Sequence, residues 1–412
     1  MILYNTAIFL FLLGARIAAQ FNPKAKCWLQ GRRRIFERLR RTIPEGERIF
    51  WIHCASLGEF EQGRPLIEAI RAEHPEYKIL LTFFSPSGYE IRKDYPGADY
   101  IFYLPADTPR NVRRFLEIVR PEIAVFVKYE FWLNYLRQLG RSSCRTFIIS
   151  AIFRSEAPFF KWYGGIFRKA LKCFEQIFVQ NMDSGLLLNS IGVSATSMVG
   201  DTRFDRVSAI AAAAKPLPVV ERFAAGQPLF IAGSTWPPDE EMLLALIAAH
   251  PEIRFVIAPH EIDRTRIESL CSRLPRPSAL YTASAPESDF TDTQVLFLDT
   301  MGMLSSAYRY ARYAYVGGGF GVGIHNLLEA AVFGVPLAFG PNHRRFREAL
   351  ELIALGAAQE ISSFAELDAW FTALESDPAH YTQAGSRAAR YIIEHKGATE
   401  KIMQHIFSRK PV

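Results

Sequence analysis

The chain alternates short apolar runs with longer segments of helical, amphipathic pattern. In the first half, the apolar runs lie at residues 49–54, 79–83, 100–104, 123–127, 146–150 and 176–179, with a weaker run at 197–199. Continuous apolar strands separated by helices are typical of a parallel sheet that helices cover on both faces, because each strand is then buried on both sides. The pattern therefore predicts an α/β fold with a doubly wound, Rossmann-like sheet in this half.

The same alternation begins again in the second half. Its apolar runs lie at residues 229–232, 255–258, 295–298, 313–316 and 336–339. Residues 209–228 are rich in Ala and Pro, which predicts an extended linker between the halves. We therefore expect one Rossmann-like domain at residues 48–208 and another at 229–412, whose last helices are candidates to cross back to the first. Loops at the carboxyl ends of both sheets are expected to line a central cleft.

Residues 1–47 differ in composition from the rest of the chain. Residues 2–15 are almost wholly apolar, and fourteen helical residues reach about 21 Å, less than the roughly 30 Å hydrocarbon core of a bilayer. The positive charge follows the apolar stretch, whereas a secretory signal carries it before. The pattern favours a membrane-anchoring helix over a cleaved signal or a buried first helix, with the body on the cytoplasmic side.

The net charge of +6 is concentrated at the N-terminus. Residues 1–48 carry +7, so the remaining chain is close to neutral at about −1. This distribution argues against nucleic acid as a partner and favours contact with anionic membrane lipids. The sequence contains no Walker loop, HExxH, CxxC or DxD motif, so we expect neither a metal nor another cofactor.

A polar segment directly follows the first apolar run. Gly58 is expected to allow a tight strand-to-helix turn, with Glu59 at the helix start as a candidate general base. An isolated glutamate there is also favoured by the helix macrodipole, and Ser56 with Glu59 fits a capping box. These residues alone do not decide whether Glu59 is a general base, a residue favoured by the helix macrodipole, or part of a capping box.

A glycine-dense loop, GGGFGVG at residues 317–323, follows a predicted strand and precedes a helix. Such a loop presents backbone N–H groups and a positive helix end, which suit a phosphate. His325 and Glu329 lie four residues apart and are expected to share a helix face. We predict a nucleotide site here, with Asn326 and the loop amides at the phosphate and Glu329 at the ribose. The loop glycines singled out are Gly318, Gly319, Gly321 and Gly323.

Three smaller polar segments also follow predicted strands. Gly233, Ser234 and Thr235 follow the first strand of the second half, where the hydroxyls either contact phosphate or cap the next helix. Ser87 follows another strand of the first half. Glu130 and Trp132 follow a third, and a buried glutamate beside tryptophan suggests function.

Together these segments resemble the 3-deoxy-D-manno-octulosonate (Kdo) transferases. The resemblance rests on ASLGE at residues 55–59, YEFW at 129–132, AGST at 232–235, GIHNLLE at 323–329 and KGAT at 396–399, in that order. It implies a GT-B glycosyltransferase fold and inverting transfer of Kdo from CMP-Kdo to a lipid A precursor, at the cytoplasmic face of a bacterial inner membrane. By the same resemblance, Glu59 is the general base, and His325, Asn326 and Glu329 hold the nucleotide.

The chain also departs from the family pattern. The family's Pro-Arg-His-Pro reads APHE at residues 258–261, so the expected arginine is missing, and Arg264 or Arg344 is a candidate to replace it. Two alternatives of other classes share parts of the pattern. A nucleotide-sugar epimerase can have the same two-domain fold and glycine loop, and a membrane-associated nucleotide-sugar binding protein needs no base at Glu59.

Overall fold

The computed structural model describes residues 1–321 and 323–408; Val322 of the glycine loop and residues 409–412 of the predicted second domain lie outside the described residues. The chain divides into two compact units. The first unit contains Met1–Arg206 together with the C-terminal segment that starts at Lys396, and the second unit contains Val207–His395.

Within the described residues, each unit has one sheet of seven strands, and every neighbouring pair is parallel. The strands of the first sheet are β1 Ile49–Cys54, β2 Lys78–Phe83, β3 Tyr100–Tyr103, β4 Ile123–Val127, β5 Arg145–Ala151, β6 Gln176–Val179 and β7 Thr196–Met198. The strands of the second are β8 Leu229–Thr235, β9 Arg254–Pro259, β10 Ser278–Leu280, β11 Val295–Phe297, β12 Ala311–Val316, β13 Leu337–Phe339 and β14 Ala358–Glu360. All twelve predicted runs are strands, whereas β10 and β14 have no predicted counterpart.

Helices connect the strands in both units. Those up to residue 212 are α1 Ile2–Ala18, α2 Pro23–Gly31, α3 Ile35–Thr42, α4 Leu57–Glu73, α5 Pro86–Arg92, α6 Pro109–Val119, α7 Leu133–Leu139, α8 Gly165–Leu171, α9 Met182–Ser190 and α10 Arg203–Ala212. The remainder are α11 Pro218–Ala224, α12 Pro237–Ala249, α13 Arg264–Cys271, α14 Leu304–Ala307, α15 Leu328–Ala331, α16 Arg347–Ala354, α17 Phe364–Ser376, α18 Pro378–His395 and α19 Ala398–Ser408. Short 3₁₀ turns lie at Pro158–Phe160, Tyr281–Ala283 and Tyr308–Tyr310.

The first sheet is buried on both faces, as its apolar strands predict. Ile49 and Trp51 of β1 pack into the core on one face, while Phe50 and Ile52 pack into the core on the other. This division follows from the pleat, which points successive side chains to opposite sides of a strand. Burial on both faces explains why the strands are recognisable in the sequence as continuous apolar runs.

The segment predicted as an extended linker is partly helical. α10 extends to Ala212, and α11 occupies Pro218–Ala224. Val219, Val220 and Phe223 of α11 are buried in the second unit. The Ala and Pro content suggested an extended chain, but Pro218 stands at the first position of a helix, where it costs no hydrogen bond.

The N-terminal apolar stretch forms helix α1, which has no buried residue. The Tyr4 hydroxyl donates a hydrogen bond to Asp107 (2.5 Å), and the Asn134 amide donates to Asn5 (2.9 Å), so the start of α1 is tied to the first unit. Across the described part of the chain, no helix has both the length and the apolar character required to cross a membrane.

Candidate functional site

In both sheets, the order of the strands reverses direction at an internal point. The first sheet runs β3-β2-β1-β4-β5-β6-β7, and the second runs β10-β11-β9-β8-β12-β13-β14. Ligands of open α/β sheets bind at such points, because the loops that leave the carboxyl ends of the two central strands diverge there. The segments with Glu59 and Glu130 follow β1 and β4, and the AGST segment and the glycine loop belong to the ends of β8 and β12. The fold therefore provides one candidate site in each unit.

Glu59 lies in the first turn of α4, directly after β1. Its side chain is half-buried and accepts a hydrogen bond from the Ser56 hydroxyl. Among the described residues, no backbone N–H of α4 donates to the Ser56 side chain, so the capping-box interpretation is wrong. Ser56 instead holds the carboxylate at the helix start, where the macrodipole favours an anion.

The glycine that shapes this part of the first unit is Gly88, and the prediction for Gly58 is wrong. The backbone at Gly58 is helical, and an added Cβ would meet only the Ser56 hydroxyl oxygen, at 3.8 Å. A Cβ on Gly88 would overlap the Phe83 ring and lie 3.0 Å from the Ser56 carbonyl carbon. The small residue thus lets α5 approach the loop after β1. Ser87, beside it, is exposed.

Glu130 and Trp132 contact each other at the end of β4. The Trp132 indole N–H donates to Glu130 Oε2 at 2.6 Å, and the Glu130 side chain is largely buried, as expected from the sequence. The same oxygen lies 3.1 Å from His53 Nε2. His53 is fully buried, and its Nδ1 lies 2.9 Å from the Thr82 hydroxyl. Glu130 therefore accepts a hydrogen bond from Trp132 and lies within hydrogen-bond distance of the His53 ring.

His53 is a residue that the sequence did not single out. It stands inside a predicted apolar strand, where a histidine is usually a core residue. The signal available in the sequence was its position one residue before the predicted carboxyl end of β1, whereas its register with Thr82 of β2 and Phe126 of β4 is known only from the sheet.

The AGST segment lies inside β8 rather than after it. Gly233, Ser234 and Thr235 are the last three residues of the strand. The Thr235 hydroxyl is fully buried and donates to Glu240 at 2.9 Å, so it neither caps α12 nor faces a phosphate. Ser234 adopts a left-handed conformation with φ of +53° and stays half-buried. Of the two hydroxyls, only that of Ser234 remains a candidate for a ligand.

Asp239, at the start of α12, ties the glycine loop to β8. Its buried carboxylate accepts hydrogen bonds from the Trp236 N–H (2.8 Å), the Gly318 N–H (2.9 Å) and the Tyr315 hydroxyl (2.7 Å). Burial raises the pKa of Asp239, and the three donors oppose this change. Sequence reasoning did not indicate this role for Asp239, because Tyr315 and Gly318 are distant from it in the chain.

The glycine loop bonds largely to itself. Its Gly318 N–H donates to Asp239, and the Gly321 and Gly323 N–H groups both donate to the Gly318 carbonyl at 3.1 Å. The expectation that these three amides face a phosphate is therefore wrong for this conformation. Gly318 and Gly323 have φ of +93° and +112°, so glycine is required for the backbone. Gly319 is required for packing, since an added Cβ would lie 2.5 Å from the Gly340 Cα.

His325 and Glu329 do not share a helix face. The helix after the loop starts only at Leu328, so His325 and Asn326 lie in the extended loop before it. Glu329 accepts hydrogen bonds from the Asn326 amide (2.9 Å) and the Ser305 hydroxyl (2.5 Å). The glycine pattern predicted a helix that begins too early, because the loop after β12 continues past His325.

Three rings at the carboxyl ends of β8, β9 and β12 form a cluster. His260 stacks on Trp236 (4.9 Å between centroids) and on His325 (4.2 Å), both with interplanar angles of 25°. The Trp236 indole N–H donates to His325 Nε2 at 3.0 Å, which places the proton of the neutral imidazole on Nδ1. Burial, with the neighbouring His260, lowers the pKa of His325 to about 4, and burial also lowers that of His260. The ring cluster thus offers a neutral N–H donor beside the glycine loop.

Neither candidate for the missing family arginine lies in this ring cluster. Arg264 is exposed and pairs with Glu268 at 3.0 Å, and Arg344 is exposed. The arginine that reaches the end of β8 is Arg266, which pairs with buried Glu240 and donates to the Thr235 carbonyl at 3.1 Å. Arg266 is on α13, and its closeness to the end of β8 became evident only once the sheet showed that β8 and β9 are neighbouring strands.

Comparison with known proteins agrees with the fold. A calicheamicin glycosyltransferase, CalG4, matches 88% of the chain and 99% of its own length with a TM-score of 0.56 and 13% identity. UDP-GlcNAc 2-epimerase from Neisseria meningitidis, solved with UDP-GlcNAc bound, matches 88% of the chain and all of its own with a TM-score of 0.60 and 14% identity. These likenesses concern the fold alone. The two parallel-sheet units have the GT-B architecture.

Sequence comparison shows which family the chain is similar to. A family model described as 3-deoxy-D-manno-octulosonic-acid transferase (kdotransferase) matches residues 32–206. The 3-deoxy-D-manno-octulosonic acid transferase of Haemophilus influenzae is 26% identical over 376 residues, which cover 88% of this chain and 87% of that protein. These matches confirm the resemblance of the chain to the Kdo transferases, and they indicate that the protein is a glycosyltransferase.

Proposed function

We propose that the protein transfers Kdo from CMP-Kdo to a lipid A precursor, with inversion at the anomeric carbon. Glu59 removes the proton of the acceptor hydroxyl, whose oxygen attacks the anomeric carbon. The bond from that carbon to the phosphate oxygen breaks, and CMP leaves with the electron pair. The observation that supports this role is the position of Glu59, a half-buried carboxylate at the carboxyl end of β1 and the reversal point of the sheet.

The other polar groups of the first unit support this base. Ser56 donates to Glu59 and limits the rotation of the carboxylate. Glu130, fixed by His53 and Trp132, adds a second carboxylate at the end of the neighbouring strand. We propose that Glu130 helps to orient the acceptor, because its contacts with Trp132 and His53 fix the direction of its carboxylate.

In the second unit we propose the donor site. The neutral His325 Nδ1–H, the Ser234 hydroxyl and the left-handed glycine loop lie at the ends of β8 and β12. Hydrogen-bond donors there stabilise the departing phosphate without a change of protonation. Glu329 has room for a ribose hydroxyl, because Ser305 and Asn326 each donate to one of its oxygens and a carboxylate oxygen accepts more than one hydrogen bond. The cleft expected to join the two sites stays a prediction.

The membrane-facing part of the proposal rests on α1. Its apolar side chains are exposed, and Arg and Lys follow directly in α2 and α3. Such a helix is suited to lie in the interface of a membrane rather than to cross it. The exposed apolar residues are Ile2, Leu3, Phe9, Leu10, Phe11, Leu13 and Ile17. We propose that it holds the protein at the cytoplasmic face of the inner membrane, next to its lipid acceptor.

The first experiment incubates the purified full chain with CMP-Kdo and tetraacylated lipid A precursor, with and without EDTA. Glycolipid masses and released CMP are measured for the wild type and for Glu59→Gln. A general base contributes at least about a hundredfold, so E59Q should lose that much activity while CMP binding persists.

Glu61→Gln is the matched control. Glu61 stands in the same helix and loses the same charge, but its carboxylate is held by Arg92 (3.0 Å) and Arg206 (3.9 Å). We expect E61Q to retain most of the activity. A hundredfold loss in both variants would indicate that the loss of a negative charge, rather than of a base at Glu59, reduces the activity. Full activity of E59Q would show that Glu59 is not the general base. Bound CMP without lipid product would favour a binding protein.

A second experiment concerns the membrane. Deletion of residues 1–20 should leave a folded protein that still binds anionic vesicles through the remaining basic residues, because these lie in α2 and α3. Co-sedimentation at increasing salt should show that this binding weakens, as screening predicts. Binding that does not respond to salt would contradict the electrostatic part of the proposal.

A further inference from the structure

A cavity of about 540 Å³ in the first unit has a strongly positive wall. It is formed by residues of α1, α2, the turn before α3, the start of α3, the loop after β3, and α6, and Leu12 of α1 contributes an apolar side. Among the described residues that line it, the charged side chains are Arg16, Arg32, Arg33, Arg34, Glu37 and Arg114. Five guanidinium groups thus surround one cavity together with a single carboxylate.

Arg32 lacks a counter-ion within the described part of the protein. Its guanidinium donates to the carbonyls of Leu104 (2.8 Å), Trp28 (3.0 Å) and Phe84 (2.8 Å), and it lies 3.8 Å from the centre of the Trp28 ring. No described carboxylate lies within 4.0 Å of it. Burial lowers the pKa of Arg32 to about 9, the direction expected when a cation is taken from water without an anion. A bound anion would offset this cost.

The opposite wall carries a positioned arginine. Arg114 on α6 lies 4.2 Å from the centre of the Phe36 ring, and no described carboxylate pairs with it. Arg33 and Arg34, exposed in the turn before α3, also have no described carboxylate within ion-pair distance. The indole N–H of Trp28, which lines the cavity as well, is buried without an acceptor among the described residues. The wall therefore offers many hydrogen-bond donors and few acceptors.

We propose that this cavity binds the phosphate group of an anionic lipid. Guanidinium groups pair with phosphate through two parallel hydrogen bonds, and several of them match a doubly charged group. Leu12 of α1 lines the cavity, and other apolar residues of the same helix, among them Phe9 and Leu13, are exposed; this surface can contact acyl chains and favours a lipid over free phosphate. The inference rests on the membrane association proposed above, and adds a defined site to it.

The test uses the full chain and soluble probes, so that binding to a membrane surface does not contribute. Binding of short-chain dihexanoyl phosphatidic acid, dihexanoyl phosphatidylcholine and inorganic phosphate is measured by calorimetry. We expect the phosphatidic acid to bind most tightly. Arg114→Gln should weaken it about tenfold, the scale of a hydrogen bond to a charged group. Arg33→Gln, in an exposed turn, gives a second variant whose folding is not at risk.

Arg113→Gln is the matched control, because Arg113 precedes Arg114 on α6 but lines a different cavity. It should change the affinity less than about twofold, as expected for an exposed charge. Equal losses in R113Q and R114Q, or no binding of phosphatidic acid, would overturn the site. If inorganic phosphate binds as tightly as phosphatidic acid, the cavity binds free phosphate rather than the phosphate group of a lipid. Because the assay needs no turnover, its failure is distinct from failure of Kdo transfer.

Discussion

His325 shows how tertiary contacts determine the chemistry of a residue in the candidate donor site. Its imidazole stacks on His260 and accepts a hydrogen bond from Trp236, so the ring is neutral with its proton on Nδ1. In the sequence, the same histidine is only a polar residue after a glycine loop. Its partners come from the ends of two other strands, and their contribution became evident only with the order of the sheet.

The low pKa of His325 makes stability depend on pH. In the unfolded chain the imidazole titrates near its ordinary value of about 6.5, whereas in the fold its pKa is about 4. The unfolded state therefore binds more protons between these values, and the free energy of unfolding falls as pH decreases from 6.5 to 4. We expect the wild type to lose about 2 kcal/mol more than His325→Gln between pH 7 and pH 4.5. Urea unfolding of both proteins at the two pH values measures this, and parallel pH profiles would contradict it.

At the scale of elements, the glycine loop after β12 is held in place by backbone contacts. Gly319 and Gly340 approach so closely that neither has room for a Cβ, and Asn342 N–H donates to the Gly319 carbonyl at 2.8 Å. The loop conformation is thus fixed by the segment after β13. The sequence shows how many glycines the loop contains. It does not show which of them are needed for packing and which face open space.

Gly319→Ala and Gly321→Ala separate these roles. The added methyl of G319A would collide with the Gly340 backbone, so we expect a loss of about 1–3 kcal/mol in the free energy of unfolding and weaker CMP binding. A Cβ on Gly321 meets nothing within 4 Å, so G321A should change stability by less than about 0.5 kcal/mol. Denaturant unfolding and calorimetry on both variants provide the test. Equal effects would show that packing against Gly340 does not fix the loop.

At the scale of the whole molecule, the chain returns to the first unit at its C-terminal end. Asp205 accepts hydrogen bonds from the backbone N–H groups of Gly397 (2.5 Å) and Thr399 (2.7 Å), where α19 begins. Ile402 and Ile406 of α19 are fully buried in the core on one face of the first sheet. The KGAT segment, one of those that carry the family resemblance, is therefore the point at which the last helix is fixed.

Substitutions in α19 should accordingly affect the first unit. Ile402→Ala removes a buried side chain and should cost about 2–5 kcal/mol, whereas Lys401→Ala, at the neighbouring exposed position, should stay within about 0.5 kcal/mol. Amide hydrogen exchange should become faster in β1 and β4 of the I402A protein. Unchanged protection of these strands would contradict the role of α19 in the first core.

The sequence by itself determined the local elements and the resemblance to the Kdo transferases. Strands buried on both faces are continuous apolar runs, which is why β1, β4 and β6 were predicted with their observed bounds. Glu59 and Glu130 were predicted because they follow such strands directly. β10 and β14 were missed, since strands of three half-exposed or mixed residues leave no apolar run.

The tertiary structure decided which side chains meet. Strand order placed His53 beside Glu130 and Trp236 beside His325, pairs separated by 77 and 89 residues. It also directed Asp239 to the Gly318 amide, which the glycine pattern alone assigned to phosphate. A local sequence pattern indicates secondary-structure propensity and burial. Hydrogen bonds between distant residues depend instead on which strands are neighbours, and the packing of the whole sheet sets that order.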